Sequence, residues 1–465
     1  MPTMEKTRIE RDPMGEIEVP ADVYWGAQTA RAVRNFPISR LPPHKALVRA
    51  TVRIKLAAAR ANARLGALDP KIASAIEEAC EGILDGELAD QFVVDPYQAG
   101  AGTSHHMNVN EVIAARASEI LGGPRSPSSG LVHPNDHVNR AQSTNDVFPT
   151  ALRLAVLEES GPLLAALELL QRSIESKARE FHGIIKSGRT HLQDASPIRL
   201  GREIGAWANN LRKHREAIEL AAGGCGELGI GGTATGTGLT SKPGYRELVV
   251  DDLAKQTGHR LFPADDLYEA MQSLRPAAAL SGSLRDFAVD LFRISSDVRL
   301  LSSGPTTGLG ELLLPPVQPG SSIMPGKVNP SIAEMVGQVC ARVIGNDATV
   351  AWAAGAGQID LNVFFPVAAH VLLEAETILT NTVRVFDERC IRGLKADEAR
   401  CADYAARSSQ LVLALAPRLG YEKAAGIAKR ALASGRTIEE QVVSEGVLPA
   451  DEAKRILDPA RLAGD

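Results

Sequence analysis

Hydroxyls, a lysine and a carboxamide crowd the end of one Gly- and Pro-rich segment, Gly304–Pro330, GPTTGLGELLLPPVQPGSSIMPGKVNP. Gly320 and Gly326 bracket Ser321-Ser322 and permit backbone angles that aim several N–H groups at one point. Lys327 and Asn329 follow, and Pro330 suits the first position of a helix. Asn329 is a candidate N-cap, and Ser331 with Glu334 offers an alternative capping box. A helix N-terminus, a cation, a carboxamide donor and hydroxyls together predict an anion site. A plain linker is the weaker reading, because loops this long in compact proteins are usually functional or disordered.

Three further clusters share this character. Gly100-Ala101-Gly102-Thr103-Ser104, followed by His105, His106 and Asn108, precedes a helix expected from Asn110 to Leu121. Its backbone N–H groups could hold a carboxylate. Gln142-Ser143-Thr144-Asn145-Asp146 sets three short hydrogen-bonding side chains in a row before the first long helix. Gly188-Arg189-Thr190-His191-Leu192-Gln193-Asp194 stands between two helices. Each alone reads first as helix capping. All four, however, fall at ends or breaks of long helices, where a bundle can gather residues distant in sequence.

Two other patterns are decoys. Gly229-Ile230-Gly231-Gly232-Thr233-Ala234 fits the dinucleotide fingerprint, but it follows an Ala-rich helical run rather than a strand. No nicotinamide or other cofactor is expected. His133 and His137 have the spacing of a zinc pair, yet Pro134 lies between them and no Glu follows His133. No metal is expected either.

Long elements must position these groups. Ala151–Glu180 carries Leu152, Val156, Leu157, Leu163, Leu164, Leu167, Leu170 and Ile174, a stripe at mostly three- and four-residue steps. Gly161-Pro162 should kink or briefly interrupt it. Similar runs cover Pro197–Ala222, Asp265–Leu301, Ile332–Ala353 and Phe364–Glu388, with shorter ones up to Gly66 and from Lys71 to Leu84. Helices this long exceed the usual span of about 10–14 residues and need long partners, so a bundle is expected. The width of the stripes favours bundling between subunits as well. The stretch to about Pro43 reads as extended segments and turns. From about Lys395, shorter runs separated by Gly420, Gly435 and Gly446 read as a small C-terminal domain.

Composition narrows the class. Apolar residues make up 44% but aromatic ones only 4%, which suits helix-on-helix packing better than a β-sandwich. The net charge of −5 is mild and no basic stripe is present, so nucleic acid is not an expected partner. Cys80, Cys225, Cys340, Cys390 and Cys401 show no metal spacing and read as buried thiols in a reducing compartment. Met1 to Pro20 has alternating charges and no apolar run, so no secretory signal is expected. No uncharged apolar run nears the roughly 18 residues of a membrane span. A soluble cytoplasmic protein follows.

The four clusters together resemble the fumarase/aspartase superfamily. The likeness runs from Arg11-Asp12-Pro13-Met14-Gly15 and Tyr24-Trp25-Gly26-Ala27-Gln28-Thr29 to the C-terminal region, and GSSIMPGKVNP is the family's signature. The resemblance implies an all-α, three-domain subunit divided as 1–142, 143–394 and 395–465. It further implies a homotetramer with a roughly 20-helix core and active sites shared between three subunits. Carried onto this chain, Ser321 would be the general base that takes the C3 proton of a small dicarboxylate. Lys327 and loop N–H groups would stabilise its alkoxide. Thr103, Ser143, Thr144 and Ser322 would hold the carboxylate that becomes an aci-carboxylate. Thr190, Lys327 and Asn329 would hold the other, while Asn145 and His191 would face the leaving group.

Aspartate ammonia-lyase is the favoured activity. It rests on Gln98–Ser104, Ser143-Thr144-Asn145-Asp146, Val343–Asp347, Gln358 with Leu361-Asn362-Val363, and Ile378-Leu379-Thr380-Asn381. Class II fumarase is the alternative, suggested by Gly310-Glu311-Leu312 and by His133-Pro134-Asn135-Asp136-His137. There His133, Asn135 and Asp136 would form a secondary anion site. A non-catalytic structural member is a second alternative. Val328 after the signature lysine argues against lyases of argininosuccinate or adenylosuccinate. Two positions depart from both families: Thr306 replaces an arginine, and His106 replaces an asparagine.

Overall fold

A computed structural model describes residues 6–464. Met1 to Glu5 of the charged N-terminal segment, and Asp465, lie outside the described residues. Among the described residues seventeen α-helices dominate. The eight strands among them pair as four two-stranded sheets. The helical architecture expected from the stripes is therefore present, with short β-hairpins added to it. The chain forms two compact units. One comprises Met1–Leu164, Glu216–Asp286 and Ala341–Leu379, the other Ala165–Arg215, Phe287–Cys340 and Thr380–Asp465.

In the first unit, strands Thr7–Asp12 and Gly15–Pro20 form an antiparallel hairpin in register from Thr7↔Pro20 to Asp12↔Gly15. Its Ile17 and Val19 pack on Ala27 and Ala30 of the helix Ala27–Asn35. The first turn of that helix is satisfied by one buried carboxylate. Glu111 accepts from the N–H groups of Gly26 (2.9 Å), Gln28 (3.0 Å) and Thr29 (3.1 Å) and from the Thr29 hydroxyl (2.6 Å). Negative charge is favoured at a helix N-terminus, although burial still raises the Glu111 pKa. Helices Lys45–Arg64, Pro70–Leu84 and Thr103–Ile120 share one apolar cluster that includes Val52, Leu56, Ile76, Cys80, Val109 and Ile113.

Thr144–Glu180 is a single helix of 37 residues, unbroken at Pro149 and Pro162. Of the kink or brief interruption expected at Gly161-Pro162, the interruption does not occur. Each proline removes one i→i−4 bond, and the buried stripe of Leu152, Val156, Leu163, Leu167 and Leu170 holds the helix together without it. The run expected as Asp265–Leu301 is divided into Leu267–Gln272 and Arg275–Leu301. Ser273 breaks it by adopting an extended backbone (ψ 125°). The other long helices, Leu200–Gly223, Ser331–Gly355 and Phe365–Phe386, lie within three residues of their expected bounds.

In the second unit, strands Ile185–Thr190 and Gln193–Arg199 form an antiparallel hairpin with an irregularity between Ser187 and Arg189. Beyond Lys395, short helices including Tyr421–Ser434, Ile438–Ser444 and Ala450–Ile456 close over Leu415, Ile427, Val442 and Leu457. Gly435 and Gly446 end two of them at φ +69° and +66°, the left-handed region that glycine enters without steric cost. All five cysteines are buried and free. No helix among the described residues is long and apolar enough to cross a membrane.

Candidate active site

The signature loop of the second unit is closed by its own backbone. Gly320 N–H donates to Lys327 O (2.7 Å), Lys327 N–H donates to Met324 O (3.3 Å), and Asn329 Nδ2 donates to Gly320 O (2.8 Å). A Cβ at Gly320 would lie 2.6 Å from Lys327 O, so only glycine permits this closure. Within the loop, Ser321 Oγ accepts from the N–H groups of Ile323 (3.2 Å) and Met324 (3.1 Å). Those donors would stabilise negative charge on the hydroxyl oxygen. Ser322 and Lys327 are exposed, and Asn329 is half-buried. Neither expected cap forms at the following helix. It starts at Ser331, where the Ser331 hydroxyl is buried without a partner. Asn329 Nδ2 is instead directed back to Gly320.

Thr190 and His191 stand at the tip of a β-hairpin, not at a helix break as expected. Thr190 pairs with Gln193, which leaves His191-Leu192 as a two-residue turn with φ +54° and +61°. Such turns favour Asn-Gly. A histidine and a leucine there each carry left-handed strain of about 1–2 kcal/mol. The hairpin is anchored further back. Lys186 Nζ lies 2.8 Å from Glu203 Oε2 and 3.0 Å from Glu311 Oε2, and Arg189 Nη1 lies 2.9 Å from Glu311. Lys186 and Glu311 are fully buried. In the same unit, Thr306 is exposed. The guanidinium of Arg400 donates to Pro305 O (3.1 Å) and Gly308 O (3.4 Å) on either side of it.

The first unit holds the remaining residues. The helix expected from Asn110 begins at Thr103, so His105, His106 and Asn108 lie inside it. Gly102 (φ +93°) sets this start: a Cβ there would fall 2.1 Å from the Phe148 ring. Ser143 caps the long helix by accepting from Asn145 N–H (3.2 Å), while its own N–H donates to Asp146 Oδ1 (2.9 Å). Asp146 Oδ2 accepts from Gly231 N–H (3.0 Å) and Thr233 N–H (2.9 Å). Burial pushes its pKa up to about 6 against these donors. The glycine segment that mimics a dinucleotide fingerprint thus binds an internal carboxylate. A two-residue strand, Glu227–Leu228, does precede it, contrary to expectation, but the next helix begins only at Tyr245. Asn145 Nδ2 donates to Ala234 O (2.8 Å).

His106 joins the Thr103 and Ser143 clusters. Its Nδ1 lies 2.8 Å from Thr144 Oγ1, and its Nε2 lies 2.5 Å from Lys55 Nζ. Lys55 was not singled out from the sequence. The available signal was a polar pair, Thr51 and Lys55, on a helix face otherwise rich in buried Ala, Val, Ile and Leu. Glu311 was noted only as part of a motif; its anchoring role needs the fold. His133 accepts at Nδ1 from Asp136 N–H (3.1 Å), and His137 Nδ1 accepts from His133 N–H (2.9 Å). Both rings thus serve the one-turn Pro134–Val138 segment, with Asn135 exposed beside them. No group of three metal-ligating side chains occurs among the described residues.

Comparison with known proteins gives these features a class. A lyase family model matches residues 15–345, and a fumarase C C-terminus model matches residues 411–464. A class II fumarate hydratase of Halobacterium salinarum is 47% identical over 456 residues, covering 98% of this chain and 97% of its own. An aspartate ammonia-lyase of a Bacillus species is 43% identical over 452 residues, covering 97% and 96%. A crystal structure of a fumarate lyase:delta crystallin from Brucella melitensis superposes with a TM-score of 0.95 at 48% identity, covering 99% of this chain and all of that one. The protein is a lyase by these matches. It belongs to the fumarase/aspartase superfamily.

Proposed function

We propose that the protein is an aspartate ammonia-lyase that reversibly eliminates ammonia from L-aspartate to give fumarate. The observation that carries this is the Ser321 hydroxyl, which accepts two backbone N–H groups inside a loop closed by Gly320, Lys327 and Asn329. A serine is a weak base unless its alkoxide is stabilised, and this loop supplies the donors. Ser321 removes the C3 proton, the electron pair moves into the adjacent carboxylate, and the aci-carboxylate expels the amino group as ammonia. Thr103, Ser143, Thr144 and Ser322 hold the carboxylate on which charge builds, which is where binding accelerates the step. Thr190, Lys327 and Asn329 hold the other. His191 and Asn145 face the leaving group. No cofactor or metal takes part.

Water in place of ammonia is the second reading. The relatives split between the two activities at similar identity, and Gly310-Glu311-Leu312 favours the hydratase. His133, Asn135 and Asp136 would then form a secondary anion site. Ultraviolet absorbance of fumarate, followed with L-aspartate and with L-malate, tests both. Fumarate from aspartate with stoichiometric ammonia supports the first reading. Fumarate from malate alone replaces it with the hydratase. An intact oligomer inert toward both would make the chain a structural member.

Further parts of the proposal concern assembly. Membership of the superfamily supports a homotetramer that shares each site among three subunits, and Leu220 (81%), Ile323 (83%) and Trp352 (65%) are exposed apolar side chains that such an assembly could cover. Separate apolar clusters within residues 48–138 and 411–457 support a three-domain division at 1–142, 143–394 and 395–465. Five free thiols support a cytoplasmic location. Neither nucleic acid nor a membrane is among the proposed partners.

A further inference from the structure

Thr144 Oγ1 has one hydrogen-bond partner among the described residues, His106 Nδ1 at 2.8 Å. The other ring nitrogen lies 2.5 Å from Lys55 Nζ, which also donates to Asn139 Oδ1 (3.0 Å) and Gln142 Oε1 (2.9 Å). Lys55 and His106 are fully buried. An ammonium has three protons and no lone pair, and here each proton has an acceptor. Nε2 of His106 must therefore accept, which places the ring proton on Nδ1. Thr144 Oγ1 then receives that proton's hydrogen bond, and its own O–H is left with no acceptor among the described residues.

We propose that Lys55 and His106 are positioning residues that orient the Thr144 hydroxyl to donate to a bound substrate carboxylate, and that loss of the Lys55 proton reverses the chain. A neutral amine carries a lone pair. It would accept from Nε2–H, the ring proton having moved from Nδ1, and one proton would have left for solvent. Nδ1 would then accept from Thr144, whose oxygen would turn a lone pair toward the carboxylate. The inference rests on the reading that Thr144 holds a substrate carboxylate.

The groups facing Lys55 leave it as the one that changes charge above neutrality. Burial lowers the Lys55 pKa to about 7, with Asp146 and Cys80 acting in the opposite direction. Asp146, near 6, is ionised above that pH. Burial pushes the Cys80 thiol far up, so it stays protonated. His105, held down near 4, and His106, held well below the usual imidazole range by burial and by Lys55, are both neutral.

The test uses succinate, a four-carbon dicarboxylate with no leaving group, and calorimetric binding to the full-length protein from pH 6 to 9. Loss of one directed donor corresponds to about a tenfold weaker dissociation constant, appearing between pH 6.5 and 8.5. Lys55→Met and His106→Leu should each flatten the profile; two variants guard against one failing to fold. Thr144→Val should bind at pH 6.5 as weakly as the parent at pH 8.5. A flat parent profile, or a full slope retained in His106→Leu, overturns the relay while leaving the Thr144 site intact if Thr144→Val is weakened. Tight succinate binding by Thr144→Val at pH 6.5 overturns the Thr144 site and the relay with it.

Discussion

Exchanging Glu311 for Gln would cut the His191 hairpin from its anchor while keeping the side-chain shape. The Glu311 carboxylate lies 2.9 Å from Arg189 and 3.0 Å from Lys186, and its own side chain is 0% exposed. After the change Lys186 keeps Glu203 at 2.8 Å. Arg189 is left with the ring of Tyr404, 5.6 Å from its guanidinium carbon. Removing one partner of a buried ion pair costs about 3–5 kcal/mol, because the remaining charge is stranded. Gln retains one acceptor oxygen and Lys186 retains one carboxylate, so the lower end, about 3 kcal/mol, applies. At about 1.4 kcal/mol per factor of ten, the hairpin should open roughly 100-fold more often. Hydrogen exchange read by mass spectrometry over residues 185–199 measures this directly. Peptides from Tyr421–Ser434 serve as the internal control, and kcat should fall because Thr190 and His191 ride on the hairpin. Unchanged hairpin protection together with parental kcat would refute the anchoring argument.

Ser321→Ala should lower kcat by about 10²–10⁴, the range for a lost general base, with an unchanged circular dichroism spectrum; parental turnover would remove Ser321 from the chemistry. Gly102→Ala would place a methyl 2.1 Å from the Phe148 ring at φ +93°, and should destabilise the chain by at least about 1–3 kcal/mol, read as a lower Tm. Asp146 has a folded pKa raised from 3.8 to about 6, so the folded state binds the proton more tightly. Its contribution is full below pH 3.8 and is lost as pH rises through 6. In Asp146→Asn the fall in Tm between pH 4 and pH 6.5 should therefore be shallower than in the parent; parallel profiles would contradict the shift.

The long helices were legible because their stripes are simple: Leu152, Val156, Leu163, Leu167 and Leu170 repeat at helical steps and are all buried. What periodicity could not show was how local backbone chemistry divides a polar stretch. Gly100–Ser104 read as a loop running to Asn110, yet the φ of Gly102 and the face of Phe148 start the helix at Thr103. At Gly161-Pro162 the helix continues, with buried leucines on both sides compensating for one missing bond. The turn at His191-Leu192 was hidden for the opposite reason. Its residues lack the Asn-Gly signal of such turns, and both His191 and Leu192 occupy left-handed positions at some energetic cost.

Buried acids recur behind the polar segments. Glu111 gathers the N–H groups of Gly26, Gln28 and Thr29. Asp146 ties Ser143 to Gly231 and Thr233, and Glu311 holds Lys186 and Arg189. Under the proposed function the site binds a dianion and needs donors facing it, but unpaired donors and cations repel one another and do not order a loop by themselves. An internal carboxylate resolves the conflict. It supplies the counter-charge and the acceptor atoms from inside, at the desolvation cost that raises Glu111 and Asp146. Lys55 inverts the scheme. It is a buried cation with only neutral acceptors in reach, so burial lowers its pKa instead. That difference is why it, and not the carboxylates, can switch the direction of a hydrogen-bond chain near neutral pH.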